Sequence, residues 1–166
     1  MEGIDVAIDW KKLLISLALC ALAGIVGSIP IIIDNGVAWK DTLVQPFYAA
    51  PNWLFGPVWT LLYFLMALAL YLVWLKWPGK DVKFGMALFA TQLVLNVLWS
   101  YIFFGLQSPT GMLLGLIEIL ALLAVVIVTT TTFYRVDRRA ALLMIPYIIW
   151  ICFATCLNAG YWWLNH

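Results

Sequence analysis

Leu13-Leu-Ile-Ser16-Leu-Ala-Leu-Cys20-Ala-Leu-Ala-Gly24-Ile-Val-Gly-Ser28-Ile-Pro-Ile-Ile-Ile33 contains no charged residue. A helix that crosses a bilayer needs about 20 mostly apolar residues, and this stretch supplies them. Four further runs of the same kind follow at 51–75, 84–106, 111–133 and 140–164. The composition agrees: 66% of residues are hydrophobic and 10% charged, against about 45–50% and about 25% in soluble domains. Mean hydropathy is +1.03. The sequence therefore predicts an all-α integral membrane protein, a bundle of five transmembrane helices forming one domain over residues 1–166. An odd number of spans argues against two equal repeated halves.

The first run has some features of a signal peptide, since Lys11 and Lys12 precede it and Ala21-Leu22-Ala23 resembles a cleavage site. Apolar residues continue well past Ala23, however, and the preceding segment mixes in Glu2, Asp5 and Asp9. It is read as a membrane helix. Eight of the nine basic residues fall on one side: Lys11, Lys12, Lys76, Lys80, Lys83, Arg135, Arg138 and Arg139. The other side receives only Lys40. The positive-inside rule then places the N-terminus inside, and the C-terminus and the long first loop, Asp34 to Ala50, outside. A net charge of +1 offers no basic face for nucleic acid.

Ten tryptophans exceed what an interfacial belt explains. Trp10, Trp39, Trp74, Trp77, Trp162 and Trp163 lie near span ends, as a belt requires, and Trp53 fits either account. Trp59, Trp99 and Trp150 lie deeper, roughly 12, 10 and 21 Å from the outer end at 1.5 Å per residue. Phe55, Trp59 and Tyr63 share one face of the second span, Gln92, Asn96, Trp99 and Phe103 one face of the third, and Tyr147, Trp150, Ala154, Leu157 and Tyr161 one face of the fifth. Gln92, Asn96 and Asn158 should point inward, because lipid leaves an amide without partners. Three aromatic faces, with the small Ala154 opposite indoles, predict an aromatic-lined cavity for a flat guest beneath the first loop.

Residues for conventional catalysis are scarce. The one histidine, His166, lies beyond the last span, so a His-based acid, triad or paired haem ligation is not expected. No metal and no resident cofactor are expected either. Glu118 is the one ionisable residue deep in a span, read as a buried structural hydrogen bond or subunit contact ahead of a ligand role. Cys20, Cys152 and Cys156 read as small packing residues. Two small-residue ridges, Ser16/Cys20/Gly24/Ser28 and Gly111/Gly115, allow close helix approach, within the bundle rather than between subunits.

Taken in order, several segments resemble the translocator proteins, also called tryptophan-rich sensory proteins or peripheral benzodiazepine receptors. They are Trp39-Lys-Asp-Thr-Leu-Val-Gln-Pro46, Pro51-Asn-Trp-Leu-Phe-Gly-Pro-Val-Trp59-Thr-Leu-Leu-Tyr63, Gln92-Leu-Val-Leu-Asn-Val-Leu-Trp-Ser100, Phe103-Phe-Gly105 and Pro146-Tyr-Ile-Ile-Trp150-Ile-Cys-Phe-Ala154-Thr-Cys-Leu-Asn158. The resemblance implies a five-helix bundle with a pocket for tetrapyrroles such as protoporphyrin IX, for isoquinoline-carboxamide drugs and, in eukaryotic members, for cholesterol. The family's pocket tryptophans match Trp59 and Trp150, its pocket aromatic Tyr63, its amide Asn96 with Trp99 beside it, its small residue Ala154 followed by Leu157, and its acidic residue Glu118. Glu118 apart, these residues together with Pro46, Trp53 and Tyr147 are the ten candidate ligand-binding residues.

This sequence departs from the family's first loop at Lys40, Gln45, Tyr48 and Ala50. Its fifth span also lacks the basic residue that the sterol motif needs after Tyr161, so sterol binding is not expected. Beyond a membrane receptor or transport-type role, the resemblance implies two alternatives. One is light-dependent oxidative breakdown of bound porphyrin, in which Trp59 and Trp150 would be the catalytic indoles. The other is a stress or redox sensor acting through a partner. It also implies a homodimer through the third span, where Ala87 and Thr91 lie one turn apart.

Overall fold

Three of the helices start on a capping side chain at the end of an apolar run. Asp9 accepts from the Lys12 amide at 3.1 Å, Ser108 from the Gly111 amide at 3.0 Å, and Asp137 from the Arg139 amide at 2.9 Å. Each satisfies a donor that the first helical turn leaves free. The computed structural model describes residues 8–166, so Glu2 and Asp5 lie outside the described residues. The helices are α1 (Trp10–Ile33), α2 (Gly36–Thr42), α3 (Asn52–Trp74), α4 (Lys80–Ser100), α5 (Pro109–Val136) and α6 (Arg138–Asn165). One π-helical turn, Tyr101–Gly105, extends α4.

Five of these are long and apolar enough to cross a membrane, and they form a five-helix membrane bundle. Four of the five predicted spans prove too short. The helices begin at Trp10, Lys80, Pro109 and Arg138, because backbone hydrogen bonding continues through charged turns at three of them and from the Ser108 cap at the other, where hydropathy falls away. The long first loop is partly helical, since α2 occupies its first half. Asn35 makes the corner between α1 and α2 at φ 52°, a left-handed conformation that asparagine tolerates.

Around the bundle the order is α1, α3, α6, α5, α4, with α4 closing back on α1. Met66, Phe89, Ile119, Leu122, Phe133, Met144 and Ile151 fill the centre. Phe89 and Phe133 stack at 5.8 Å. Exposed Leu22, Ile25, Leu61, Val94, Ile117 and Ile149 give the outer surface its apolar character, as a lipid-facing surface requires. Thr129, Thr130 and Thr132 do not break the apolar character of α5, because each hydroxyl donates to a carbonyl one turn back at 2.8 Å.

Both small-residue ridges lie within the bundle. Gly24 faces the Tyr63 ring so closely that a Cβ there would stand 2.9 Å from it, and Ser100 of α4 donates to the Gly27 carbonyl. Gly115 lies against Asn158 and Phe103. Of the cysteines, only Cys20 is a packing residue. Cys152 and Cys156 are exposed on α6, a placement hydropathy cannot distinguish, because lipid accepts a thiol as readily as a core does.

The two ends of the bundle differ in charge. The Asp9 amide donates to the Tyr71 hydroxyl at 3.3 Å, tying the start of α1 to the end of α3. At this end Lys83 lies over Trp77 at 5.3 Å and Arg138 over Tyr134 at 5.9 Å. Lys40 lies at the opposite end, under the segment that joins α2 to α3.

Candidate functional site

The inward faces of α3, α4 and α6 bring the predicted aromatics into one column. Phe55 packs on Trp150 with centroids 5.6 Å apart, and Trp150 meets Trp59 edge to face at 6.5 Å. Trp59 continues to Tyr63 at 5.5 Å and to Tyr147 at 6.2 Å. Phe55, Trp59, Trp150 and Phe153 are half-buried, so the column has an accessible edge. Tyr147 is fully buried behind it.

Polar groups hold the column from the α4 side. The buried Asn96 amide accepts from the Tyr63 hydroxyl and donates to the Tyr147 hydroxyl at 3.0 Å. Its amide is thus engaged at both ends, and it positions the two phenols. Trp99 donates to Asn158 Oδ1 at 3.0 Å, and Asn158 donates to the Met112 carbonyl at 2.8 Å. All three predicted inward amides are buried, Gln92 donating only to Met66 Sδ at 3.8 Å. Trp150 Nε1 is buried without an acceptor among the described residues.

A second aromatic cluster lies between this column and the first loop. Phe103 stacks on Trp99 at 5.3 Å and meets Trp39, Phe104 and Tyr161 at 5.7, 5.0 and 6.1 Å. Leu157 and Met112 complete it. Trp39, half-buried, therefore packs into this cluster from α2.

The loop lies over this cluster as a tethered lid. Val44 donates to Asn165 Oδ1 at 2.8 Å, and Asn165 Nδ2 donates back to the Val44 carbonyl at 3.0 Å. The Tyr48 hydroxyl donates to the Cys156 carbonyl at 2.9 Å. Asn52 at the head of α3 donates to both oxygens of Asp41 at 3.1 Å. That hydrogen bond is the main reason the Asp41 carboxyl is held below the usual carboxylate range. Gln107 donates to the Asp34 carbonyl at 2.6 Å, fixing the other end of α2. Two open recesses of about 390 and 360 Å³ flank the lid beside Tyr48, Gly160 and Trp163.

Of the ten candidate residues, Trp59, Tyr63, Asn96, Tyr147 and Trp150 converge in the column, and Ala154 is buried in the core beside it. Trp99 bridges to the outer cluster, which holds Leu157. Pro46 is buried in the lid. Trp53 is 72% exposed on the first turn of α3, apart from the others. No open cavity separates Trp59 from Trp150: their rings are in contact.

The family model described as the TspO/MBR family matches residues 16–164. The chain belongs to the TspO/MBR family. It is 47% identical over 129 residues to the tryptophan-rich protein TspO of Archaeoglobus fulgidus, covering 76% of this chain and 80% of that one. It is 36% identical over 134 residues to the translocator protein of Homo sapiens (80% and 78%), and 34% identical over 151 residues to the tryptophan-rich sensory protein of Cereibacter sphaeroides (90% and 89%). Like the rest of this family, it is an integral membrane protein of the translocator type.

Within this TspO/MBR bundle, Glu118 shows no structural hydrogen bond among the described residues. It is buried, and neither carboxyl oxygen has a hydrogen-bond partner among the described residues. The hydrogen-bond half of the expected role is therefore not met among these residues, and the subunit-contact half concerns a second copy. Phe103, Tyr161, Gly160 and Asn165 form the outer cluster and the seat of the lid, and none was singled out as a site residue. Phe103 and Tyr161 did lie on the predicted stripes. Gly160 and Asn165 carry no pattern that would mark them.

Proposed function

We propose that this protein binds a flat hydrophobic guest, a tetrapyrrole such as protoporphyrin IX, in the aromatic column beneath the lid. The observation that carries the reading is the indole of Trp150. Its edge is accessible beside Phe55 and Trp59, yet its buried N–H has no acceptor among the described residues. An unmet buried donor costs roughly 1–3 kcal/mol, and a guest that brings an acceptor recovers it. The macrocycle stacks on indole faces, about 3.5–4 Å from each ring. Since Trp59 and Trp150 touch, the guest enters by parting them.

The test is a titration of protoporphyrin IX into the full chain in detergent or nanodiscs. Trp150→Ala should weaken binding by about tenfold or more, while Trp10→Phe at the far end should leave it unchanged. Equal affinity in wild type and Trp150→Ala removes the site.

A second reading, light-driven oxidation of the bound porphyrin by dioxygen, draws on the contact between the Trp59 and Trp150 indoles at 6.5 Å. Porphyrin absorbance lost under illumination in wild type but retained in Trp150→Phe supports it. Equal loss in both is photobleaching alone. For orientation, the basic end faces the inside, with the lid outside. Cysteines introduced at Lys80 and at Val37 in a chain otherwise free of cysteine should react with an impermeant maleimide from opposite sides of sealed vesicles.

A further inference from the structure

Lys40 does not behave as a surface lysine. It sits in the last turn of α2 with its side chain only 8% exposed, although the end of the bundle would let it extend into water as such side chains ordinarily do. Instead its ammonium lies over the Tyr161 ring, 5.8 Å from the centroid. Tyr161 is itself buried against Phe103 and belongs to the cluster roofing the aromatic column. Eight other Lys and Arg residues occupy the opposite end of the bundle, so among the described residues this is the one lysine or arginine at the lid.

The charge around Lys40 is incompletely met. An ammonium has three N–H donors and no acceptor. Among the described residues its one ionic partner is Asp41 Oδ1 at 3.5 Å. That carboxylate is 46% exposed, and Asn52 holds both its oxygens from the other side. Asp41 is thus drawn towards α3 and water, while Lys40 is turned away from water towards the aromatics. A mostly buried ammonium with one carboxylate at 3.5 Å, set over the aromatic cluster that lies between the lid and the column, has the chemistry of an anion seat.

We propose that Lys40 binds a carboxylate carried by the hydrophobic guest, so that the site selects anionic amphiphiles: the flat body stacks in the column and the acid group points to the lid. This rests on the ligand reading above, and the two fail differently. A lipid phosphate offers similar chemistry, and the test separates the two sources.

The full chain is placed in neutral phosphatidylcholine nanodiscs and titrated with protoporphyrin IX, a diacid, and with its dimethyl ester, which keeps the macrocycle and removes the charges. Lys40→Met should weaken the diacid by about tenfold or more and leave the ester within about twofold. Lys40→Arg should retain most of the diacid affinity. Undiminished ester binding also reports that Lys40→Met is folded. Equal loss of both ligands, or of neither, overturns the proposal. If diacid affinity ignores Lys40 while Lys40→Met sheds phosphatidylglycerol that wild type retains in native mass spectrometry, the seat belongs to lipid and the proposal fails. If wild type binds neither porphyrin, it is the ligand reading that falls.

Discussion

Gly160 of α6 lies directly beneath the ring of Pro46: a Cβ on Gly160 would stand 2.8 Å from Pro46 Cγ and 3.2 Å from Pro46 Cβ, and closer still to the Tyr48 hydroxyl. The lid is therefore seated on a missing side chain. In a helix, alanine is ordinarily favoured over glycine by about 1 kcal/mol, so steric exclusion of the lid sets the sign here. Gly160→Ala should lift the 43–50 segment, seen as faster amide exchange there and faster release of bound porphyrin. Unchanged exchange would mean that the lid does not rest on α6.

Asp41 ties the lid to the head of α3 through Asn52. Its carboxyl is held below the ordinary value mainly by the Asn52 hydrogen bond. A lowered folded-state pKa means that the tether's contribution is intact above the unfolded value, about 3.9, and is lost as pH falls through the folded value. At neutral pH the tether should hold, and it should release only below about pH 4. The side-chain amide resonances of Asn52 should report this by moving over that window. Asp41→Asn should abolish the movement.

The Tyr63–Asn96–Tyr147 chain is a polar network inside an apolar bundle. Tyr147→Phe leaves one Asn96 donor without its partner, at a cost of about 1–3 kcal/mol. Thermal unfolding in detergent should fall by several degrees. Paired with Tyr63→Phe in a double-mutant cycle, the two losses should prove non-additive, because both act through one amide. Strict additivity would mean that Asn96 does not couple them.

The sequence revealed what lipid enforces and concealed what packing alone decides. Gln92, Asn96 and Asn158 were legible as inward-facing because an amide in hydrocarbon has no other place to go. The stripes carrying Trp59, Trp99 and Trp150 followed from helical spacing. The outward turn of Cys152 and Cys156 was not legible, since hydropathy gives core and lipid the same sign. The π turn at Tyr101–Gly105 lies in a stretch that is apolar on every side, so periodicity does not register it. Counting charges placed Lys40 at the outer end, but not beneath the lid, because α2 is too short to show an amphipathic pattern.

Glu118 carries a prediction on stability. Both of its oxygens are buried without partners among the described residues, and an unpartnered carboxyl group is costly to hold away from water. Glu118→Leu removes that penalty while keeping much of the volume. It should raise the unfolding temperature, by a few degrees if the gain is about 1 kcal/mol. A clear fall would indicate that Glu118 has a partner when the protein is in the membrane.

Ala87 and Thr91 are exposed on α4, between Phe84 and Val94. The Thr91 hydroxyl is turned back to the Ala87 carbonyl at 3.0 Å, which leaves a small-residue, largely apolar patch facing outward. The ridges on α1 and α5 are occupied within the bundle by Tyr63 and Asn158, whereas Ala87 and Thr91 of α4 face outward. Association of helices in lipid is driven by packing, and a bulky side chain in such a patch opposes it. We expect a homodimer that Ala87→Phe converts to monomer, with porphyrin affinity unchanged because Ala87 faces away from the aromatic column. Mass measurement corrected for detergent, across a range of concentrations, decides the matter: wild-type protein that stays monomeric throughout ends the prediction.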